Sequence, residues 1–460
     1  MRATVRTSIL GFLAACGSSD PGSTDGPLPD APLADATLPD APSPDAFMRG
    51  DAMPAPNLDR SACVPDESGP VQTGRCGVGG DSPPCGGWIE IDVPDAVCSD
   101  GSQYKIFVNY SNTSDDLEVM FEPGGACWDY PSCSGSGGIR GAANPHGIPD
   151  DHMQTYSLLN LLRRDETSNP VGDWNMVFIP YCTGDVHTGN KVATYPNPAG
   201  GDPLVFRHVG HDNTMKSIAW INDHFTHIPR LLVTGCSAGG IGALQNYFYV
   251  RSGLSGVGCS YLLDDSGPAM HSDGPSRQLH ETIRAAWNLD PLLEDLRGKI
   301  NFDVDALKSD FGLINAAIAD QFPHDRLSLT VYRMDLNYSL YSYQRFFPGS
   351  TEADIHALWW EDLQELIETF QSRSNLAYFI PNFRHDNCSH CVSIPPIGHD
   401  FNTIVYMPWL GSEIEQDGLD LKQFTIDLLD YTKPLKSYLE DAIPTEMFTP
   451  QESTMCMMGG

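Results

Sequence analysis

The chain has 460 residues, a net charge of −33 and 41% hydrophobic residues. This length allows one large domain with additional segments. The excess of acidic residues argues against nucleic-acid binding, because that function requires basic surface patches. We therefore expect no nucleic-acid partner.

The first sixteen residues have the pattern of an export signal. Arg2 and Arg6 precede the apolar run 8–15, and Cys16 follows it. This order is typical of a signal peptide, and the run is too short to span a bilayer. Residues 13–16, Leu-Ala-Ala-Cys, are similar to a bacterial lipobox, so we expect lipidation of Cys16 and a membrane contact through that lipid. The alternative is an ordinary signal peptide with an incidental cysteine. The prediction is an exported protein, either an outer-membrane lipoprotein or extracellular.

Residues 17–60 are predicted to be a disordered linker. They contain eight Asp and two Arg, and six of the aspartates recur every five residues among Pro, Ala and other small residues. Such a segment has no apolar face to bury. A calcium site is the weaker alternative, because carboxylates on an open chain do not converge on one ion. The predicted organisation is therefore a signal peptide over 1–16, a linker over 17–60 and one folded domain over 61–460.

The cysteines agree with export. Besides Cys16 there are twelve, an even number, and in an exported protein these are expected to form disulfides. Cys127 and Cys133 are spaced for a small loop. The cysteines between Cys63 and Cys98 are expected to staple an N-terminal region that is poor in apolar residues.

The folded part alternates β-rich apolar runs with helical patterns. This alternation predicts a mostly parallel central sheet with helices on both faces, and residues 271–322 could form a helical insertion. The predicted strands are Tyr104–Tyr110, Leu117–Phe121, Met176–Pro180, Leu231–Thr234, Leu327–Arg333 and Ala377–Pro381, and the predicted helices are Thr214–His227, Gly240–Tyr249 and Asp354–Phe370.

A nucleophile motif stands at 235–239, Gly-Cys-Ser-Ala-Gly, after an apolar strand and before a small-residue helix. The strand, tight turn and helix are the context in which this motif exposes a serine hydroxyl. We therefore predict Ser237 as a nucleophile, with the Ala238 N–H as an oxyanion donor. The alternative is a glycine-rich turn with a buried serine.

A serine nucleophile needs a base and a group that orients the base, in the order Ser, acid, His. The candidate base is His390, which follows the last predicted strand and has Cys388 and Cys391 on either side. His385 and His399 are the competitors.

The candidate acid is Asp335, at the end of the strand before that one. A strand-end aspartate that caps a turn is the alternative. Asp264 and Asp265, which follow another apolar segment, are rivals for the same role.

The second oxyanion donor is expected after an earlier strand. Residues 117–121 lead into Glu-Pro-Gly-Gly-Ala-Cys at 122–127, and the glycines allow close approach of a substrate carbonyl. Gly125 and Ala126 are the candidates.

Several blocks resemble the family of pectin acetylesterases and the carboxylesterase Notum. Residues 122–127 resemble the family's Glu-Gly-Gly-Gly-Trp-Cys, although Ala126 replaces Trp. Residues 180–184 and 235–240 are similar to its Pro-Tyr-Cys-x-Gly and nucleophile motifs. Residues 263–267, 332–344 and 388–391 resemble its Ser-Asp-Ala-Gly, acid-bearing and Cys-x-x-His-Cys segments, in family order. The resemblance identifies the chain as a bacterial member.

The resemblance implies an α/β-hydrolase fold and metal-independent ester hydrolysis without a cofactor. It implies a Ser237–Asp335–His390 triad and a structural role for Asp265. The histidine block is one residue shorter than the family's.

Two other groups of residues have alternative readings. Cys388, Cys391 and His390, with His385 and His399, have ligand types suited to zinc, but disulfides and a catalytic histidine explain them more simply. Asp185, His187, His208 and His211 could line the substrate cleft, although loop histidines are more often solvated or capping.

The predicted function is a serine carboxylesterase for short O-acyl esters, with O-acetyl groups on polysaccharide as the expected substrates. One alternative is a depolymerase for polyester or lipid-like esters. Another is a non-catalytic surface-binding lipoprotein with a hydrolase fold.

Overall fold

The computed structural model describes residues 63, 65, 76–77, 83–157, 159–165, 169–382, 390–393, 414 and 418–442. The predicted signal peptide, Cys16 and the linker lie outside them. Among the described helices, none has the length and apolar character needed to cross a membrane.

The described chain alternates strands and helices, as expected. The strands are β1 Trp88–Val97, β2 Gln103–Asn109, β3 Leu117–Phe121, β4 Asn175–Ile179, β5 Lys191–Tyr195, β6 Leu204–His208, β7 Ile228–Cys236, β8 Val257–Asp265, β9 Arg326–Thr330, β10 Leu376–Ile380 and β11 Tyr438–Leu439. The helices are α1 Tyr130–Cys133, α2 Met153–Tyr156, α3 Gly210–His224, α4 Ala238–Gly253, α5 Arg277–Trp287, α6 Asp290–Asp295, α7 Val304–Ser309, α8 Ile314–Gln321, α9 Leu336–Ser339, α10 Glu352–Gln371 and α11 Leu421–Leu429.

The described strands form a nine-stranded sheet in the order β1-β2-β4-β3-β7-β8-β9-β10-β11, beside a two-stranded hairpin of β5 and β6. Strands from β4 to β11 in this order pair in parallel, and only β1 and β2 run antiparallel to their neighbours. The prediction of a mostly parallel central sheet is confirmed. Because β3, β7, β8 and β9 are parallel neighbours, the loops at their carboxyl ends meet along one edge.

The sheet is buried on both faces because neighbouring residues in a strand point to opposite sides. In β10, Leu376, Tyr378 and Ile380 join one core, which also contains residues of α3, α4, α8 and α10. Ala377 and Phe379 join a second core, which contains residues of α11. Helices therefore cover both faces, as predicted, and the segment 271–322 is helical through α5 to α8.

Five disulfides involve described cysteines: Cys63–Cys259, Cys76–Cys85, Cys98–Cys182, Cys127–Cys133 and Cys236–Cys391. The small loop closed by Cys127 and Cys133 is confirmed. The expectation for the N-terminal cluster is wrong in part. Cys63 and Cys98 pair with partners in β8 and after β4, so they fasten the N-terminal region to the sheet rather than to itself. Cys388 and Cys456 lie outside the described residues.

Candidate active site

Ser237 occupies a sharp turn between β7 and α4. Its backbone has φ 57° and ψ −122°, a strained conformation for a residue with a side chain. There is no room for a side chain at either of the flanking glycines. A Cβ on Gly235 would lie 2.3 Å from the Gly239 carbonyl oxygen, and one on Gly239 would lie 2.0 Å from that of Phe121. The turn therefore has the geometry of a nucleophile elbow.

Asp335 and His390 are in direct contact. His390 Nδ1 lies 2.7 Å from Asp335 Oδ2, and both residues are buried. Since a carboxylate accepts, Nδ1–H donates and Nε2 becomes the ring's acceptor. Asp335 also accepts the Tyr338 N–H through Oδ1 at 2.8 Å, which caps α9. The aspartate therefore serves both as a cap and as the partner of an imidazole.

A disulfide brings the His390 loop to the elbow. Cys236, the residue before Ser237, is bonded to Cys391, the residue after His390. A ring nitrogen of His390 lies within 4.8 Å of the sulfur atoms of both cysteines. Sequence reasoning missed this bond. The signal was available, because a triad of Ser237 and His390 requires their neighbours Cys236 and Cys391 to approach each other.

The oxyanion candidates differ in their backbone N–H groups. Ala238 is the first residue of α4, where helix N–H groups have no partner within the helix. Among the described residues, none accepts a hydrogen bond from the Gly125 N–H. The Ala126 N–H donates to the Arg140 carbonyl at 3.1 Å. That bond occupies the group that the sequence analysis assigned to the oxyanion, so Ala126 would have to release it to act there.

The rival acids have other partners. Asp265 accepts hydrogen bonds from the backbone N–H groups of Val392 and Ser393 at 2.8 and 2.9 Å. Asp264 accepts the Gly267 N–H at 3.1 Å. Neither is the partner of His390 Nδ1, which is Asp335.

A second imidazole–carboxylate pair lies in the insertion and contacts α10. His271 Nδ1 lies 2.7 Å from Asp310 Oδ2, and its Nε2 lies 2.8 Å from Thr369 Oγ1. The contacts of His271 with Asp310 raise the pKa of the imidazole against the opposing effect of burial. Thr369 lies inside α10, without an elbow or free helix-end amides. The arrangement is therefore suited to a structural ion pair. His385 and His399 lie outside the described residues.

Of the four residues proposed for the cleft, three are buried and structurally engaged. The Asp185 carboxylate accepts from the Thr183 hydroxyl and from two backbone N–H groups, and burial raises its pKa to about 6. Burial also lowers the pKa of His187 and of His208 to about 4, so both are neutral. The fourth, His211, lines a pocket.

This pocket lies between α4 and the insertion. It is partly open to solvent and is lined mainly by apolar side chains. Ile241, one helical turn after Ser237, forms part of the wall, as do Leu279, Ile283 and Leu293 from the insertion. The pocket therefore begins beside the elbow.

The described residues of the group considered for zinc do not fit a zinc site. Cys236, His390 and Cys391 have ligand atoms close together, but both sulfurs are in a disulfide. Zinc binds thiolates, and a disulfide sulfur is not one. Cys388 lies outside the described residues.

A serine on an elbow and a histidine–aspartate pair at the same edge of a mostly parallel sheet define the class of α/β-hydrolases. Residues 89–292 match the Pectinacetylesterase family profile. The predicted resemblance to the pectin acetylesterases and Notum carboxylesterases is confirmed over this region.

Two curated relatives show the same resemblance. Pectin acetylesterase 4 of Arabidopsis thaliana is 29% identical over 179 residues, which cover 37% of this chain and 41% of the relative. Palmitoleoyl-protein carboxylesterase notum1a of Danio rerio is 30% identical over 179 residues, covering 37% of this chain and 33% of the relative. The chain thus matches less than half the length of these curated relatives. The solved structure of the Wnt deacylase Notum from Drosophila is 17% identical, with a TM-score of 0.43, over 63% of this chain and 83% of that one.

Proposed function

We propose that the protein is a serine carboxylesterase that hydrolyses short O-acyl esters, with O-acetyl groups on polysaccharide as the first substrate class to test. The observation that carries this proposal is the 2.7 Å contact of His390 Nδ1 with Asp335. The residue after His390, Cys391, forms a disulfide with Cys236, the residue before Ser237. The pectin acetylesterase relatives support the ester class.

The proposed reaction is two-step acyl transfer. His390 accepts the proton of the Ser237 hydroxyl as the oxygen attacks the ester carbonyl. Asp335 holds the imidazole with Nδ1–H and stabilises its cationic form. The N–H groups of Gly125 and Ala238 stabilise the oxyanion, and each is worth about a hundredfold to a thousandfold in rate. The alcohol then leaves, and water activated by His390 releases the acid.

The Ser237→Ala variant tests this function on a panel of acetylated sugars and p-nitrophenyl esters. We expect a loss of at least about 10³-fold in kcat. A serine-directed phosphonate should label the wild type and not the variant. Ser255→Ala, which changes an exposed serine just after the end of α4, is the control and should be labelled normally. Activity retained without Ser237 rejects the proposal, and an unlabelled, inactive wild type supports a non-catalytic binding protein.

A second candidate substrate class is favoured by the apolar pocket beside the elbow. Its side chains suit a longer acyl chain or a lipid-like or polyester substrate. The rate should then rise from p-nitrophenyl acetate to octanoate. Ala269→Trp, which fills the pocket, should remove this rise and leave the acetate rate unchanged.

Export and lipidation at Cys16 belong to the same proposal. The five disulfides support an oxidising compartment. Incorporation of labelled palmitate into the wild type, and its absence in Cys16→Ser, is the expected result. A wild type that takes up no label would leave an ordinary signal peptide as the explanation.

A further inference from the structure

The short segment 390–393 is fixed to the end of β8. Three consecutive backbone N–H groups of the segment donate to two side chains there. The Cys391 N–H donates to Ser266 Oγ at 2.9 Å. Those of Val392 and Ser393 donate to the two carboxylate oxygens of Asp265 at 2.8 and 2.9 Å. The segment that carries His390 is therefore held mainly by one carboxylate.

Asp265 is fully committed to this role. It is 1% exposed, and its oxygens also accept the Thr330 hydroxyl at 3.1 Å and the Ser393 hydroxyl. A buried carboxylate is stable only when donors surround it. Because most of these donors come from the histidine segment, the segment and the carboxylate fix each other.

The same residue also holds the nucleophile. The backbone carbonyl oxygen of Asp265 accepts the Ser237 N–H at 2.8 Å. In the parallel pairing of β7 with β8, Asp265 is the register partner of Cys236. One residue therefore binds the elbow through its main chain and the histidine segment through its side chain.

We infer that Asp265 is a positioning residue that sets the separation between Ser237 and His390. This inference rests on the proposed function. It differs from a triad-acid role, because the partner of His390 Nδ1 is Asp335. Misplacing a reacting group by about 1 Å can lower a rate about a hundredfold, so the residue acts on catalysis without touching substrate.

The Asp265→Asn variant separates the two attachments. Its backbone carbonyl still accepts the Ser237 N–H, but the side-chain amide turns an NH₂ group toward donors. We expect kcat for p-nitrophenyl acetate to fall about 10- to 100-fold, with KM within about twofold. Asp264→Asn is the matched control. It is the neighbouring buried carboxylate and accepts the Gly267 N–H, and its kcat should stay within about threefold of wild type.

A double-mutant cycle with His390→Ala provides the decisive readout. If Asp265 acts through His390, Asp265→Asn should have no further effect on the residual rate of His390→Ala. An equal relative decrease in kcat in both backgrounds, or full kcat in a folded Asp265→Asn variant, would overturn the inference. Full activity of His390→Ala alone would instead reject the proposed triad, so the two failures are distinguishable.

A milder variant keeps the inference testable if Asp265→Asn does not fold. Ser393→Ala removes only one hydroxyl donor to Asp265. It should lower kcat about 3- to 10-fold in the wild type and not at all in the His390→Ala background. Equal losses in the two backgrounds, or no loss in either, would contradict a positioning role.

Discussion

Cys236 and Cys391 are bonded to each other, although 155 positions separate them in the chain. The bond joins the residue before the proposed nucleophile to the residue after the proposed base. Both cysteines are buried, at 0% and 3% exposure. The covalent link therefore constrains the site from within the protein core.

Removing this bond should affect both stability and rate. For Cys236→Ala combined with Cys391→Ala, we expect a loss of about 4 kcal/mol in the free energy of unfolding, since the bond closes a long loop. We also expect kcat to fall about tenfold, because the histidine segment loses one attachment. Denaturant unfolding and p-nitrophenyl acetate hydrolysis measure the two effects.

The control for the disulfide removes a remote one. Cys76 and Cys85 are nine positions apart, and replacing both by Ala should destabilise the protein without lowering kcat. Equal losses of kcat in the two double variants would show that the site bond has no special role.

Asp335→Asn tests the orientation of the imidazole. The amide oxygen can still accept the Tyr338 N–H and cap α9, so the fold should be retained. An amide facing Nδ1 favours the wrong tautomer, which lowers kcat about 10⁴-fold in serine proteases. We expect a loss of about 10³- to 10⁴-fold here, with a thermal midpoint close to that of wild type. A loss below about tenfold would exclude Asp335 as the acid.

Gly125→Ala tests the oxyanion loop. Gly125 has φ 81°, and a Cβ there would lie 2.0 Å from the Arg140 carbonyl oxygen and 2.7 Å from Tyr341 Oη. The loop must therefore move, and we expect at least about a hundredfold loss in kcat.

Gly135→Ala is the matched control for that variant. Gly135 has φ 77°, but no atom lies within 4 Å of its Cβ position. It should show only the backbone strain, about 1 kcal/mol of stability, with normal kcat. Equal losses of activity in the two variants would mean that the close packing around Gly125 does not matter for catalysis.

We expect Asp362 to make the stability of the fold depend on pH. It is fully buried, and Oδ2 accepts the Ser276 N–H and the Tyr343 hydroxyl, while Oδ1 has no partner among the described residues. Burial raises the pKa of Asp362 to about 7. Because the folded pKa exceeds the unfolded one, its contribution is fully present below about pH 4 and is lost as the pH rises through 7.

Asp362→Asn should remove this pH dependence. The amide oxygen accepts the same two donors, so the variant should match or exceed the stability of wild type at pH 8. The change from pH 4 to 8 should be smaller than in wild type by up to about 4 kcal/mol. Asp185→Asn is the contrast. Both oxygens of Asp185 accept hydrogen bonds, Oδ2 from two backbone N–H groups and Oδ1 from the Thr183 hydroxyl, so this variant should lose stability at every pH. An unchanged pH profile in Asp362→Asn would contradict the assignment.

Buried strands of the sheet were predictable, and its edges were less so. The predicted strand at 117–121 matches β3. All five of its residues are buried, and four of them are apolar. β1 was missed, because it is an edge strand with a mixed burial pattern. β8 was missed because it ends in Asp264 and Asp265, which look like loop residues until their buried partners are known.

For the site, local patterns were sufficient for the elbow but not for contacts across the chain. The glycines around Ser237 are dictated by a turn that spans five residues. The attachment of Ser393 to Asp265 joins positions 128 apart, and no local pattern encodes it. The bond of the Ala126 N–H to Arg140 also depends on a loop that sequence reasoning did not place.

The disulfide between Cys63 and Cys259 has a consequence for how the domain is presented. Cys259 is the third residue of β8, and Asp265 is the last. Six residues of strand correspond to about 20 Å, so Cys63 is fastened near the end of the sheet opposite to Ser237. In the proposed lipoprotein, the chain before Cys63 would therefore join the domain at the end of the sheet opposite to the proposed site.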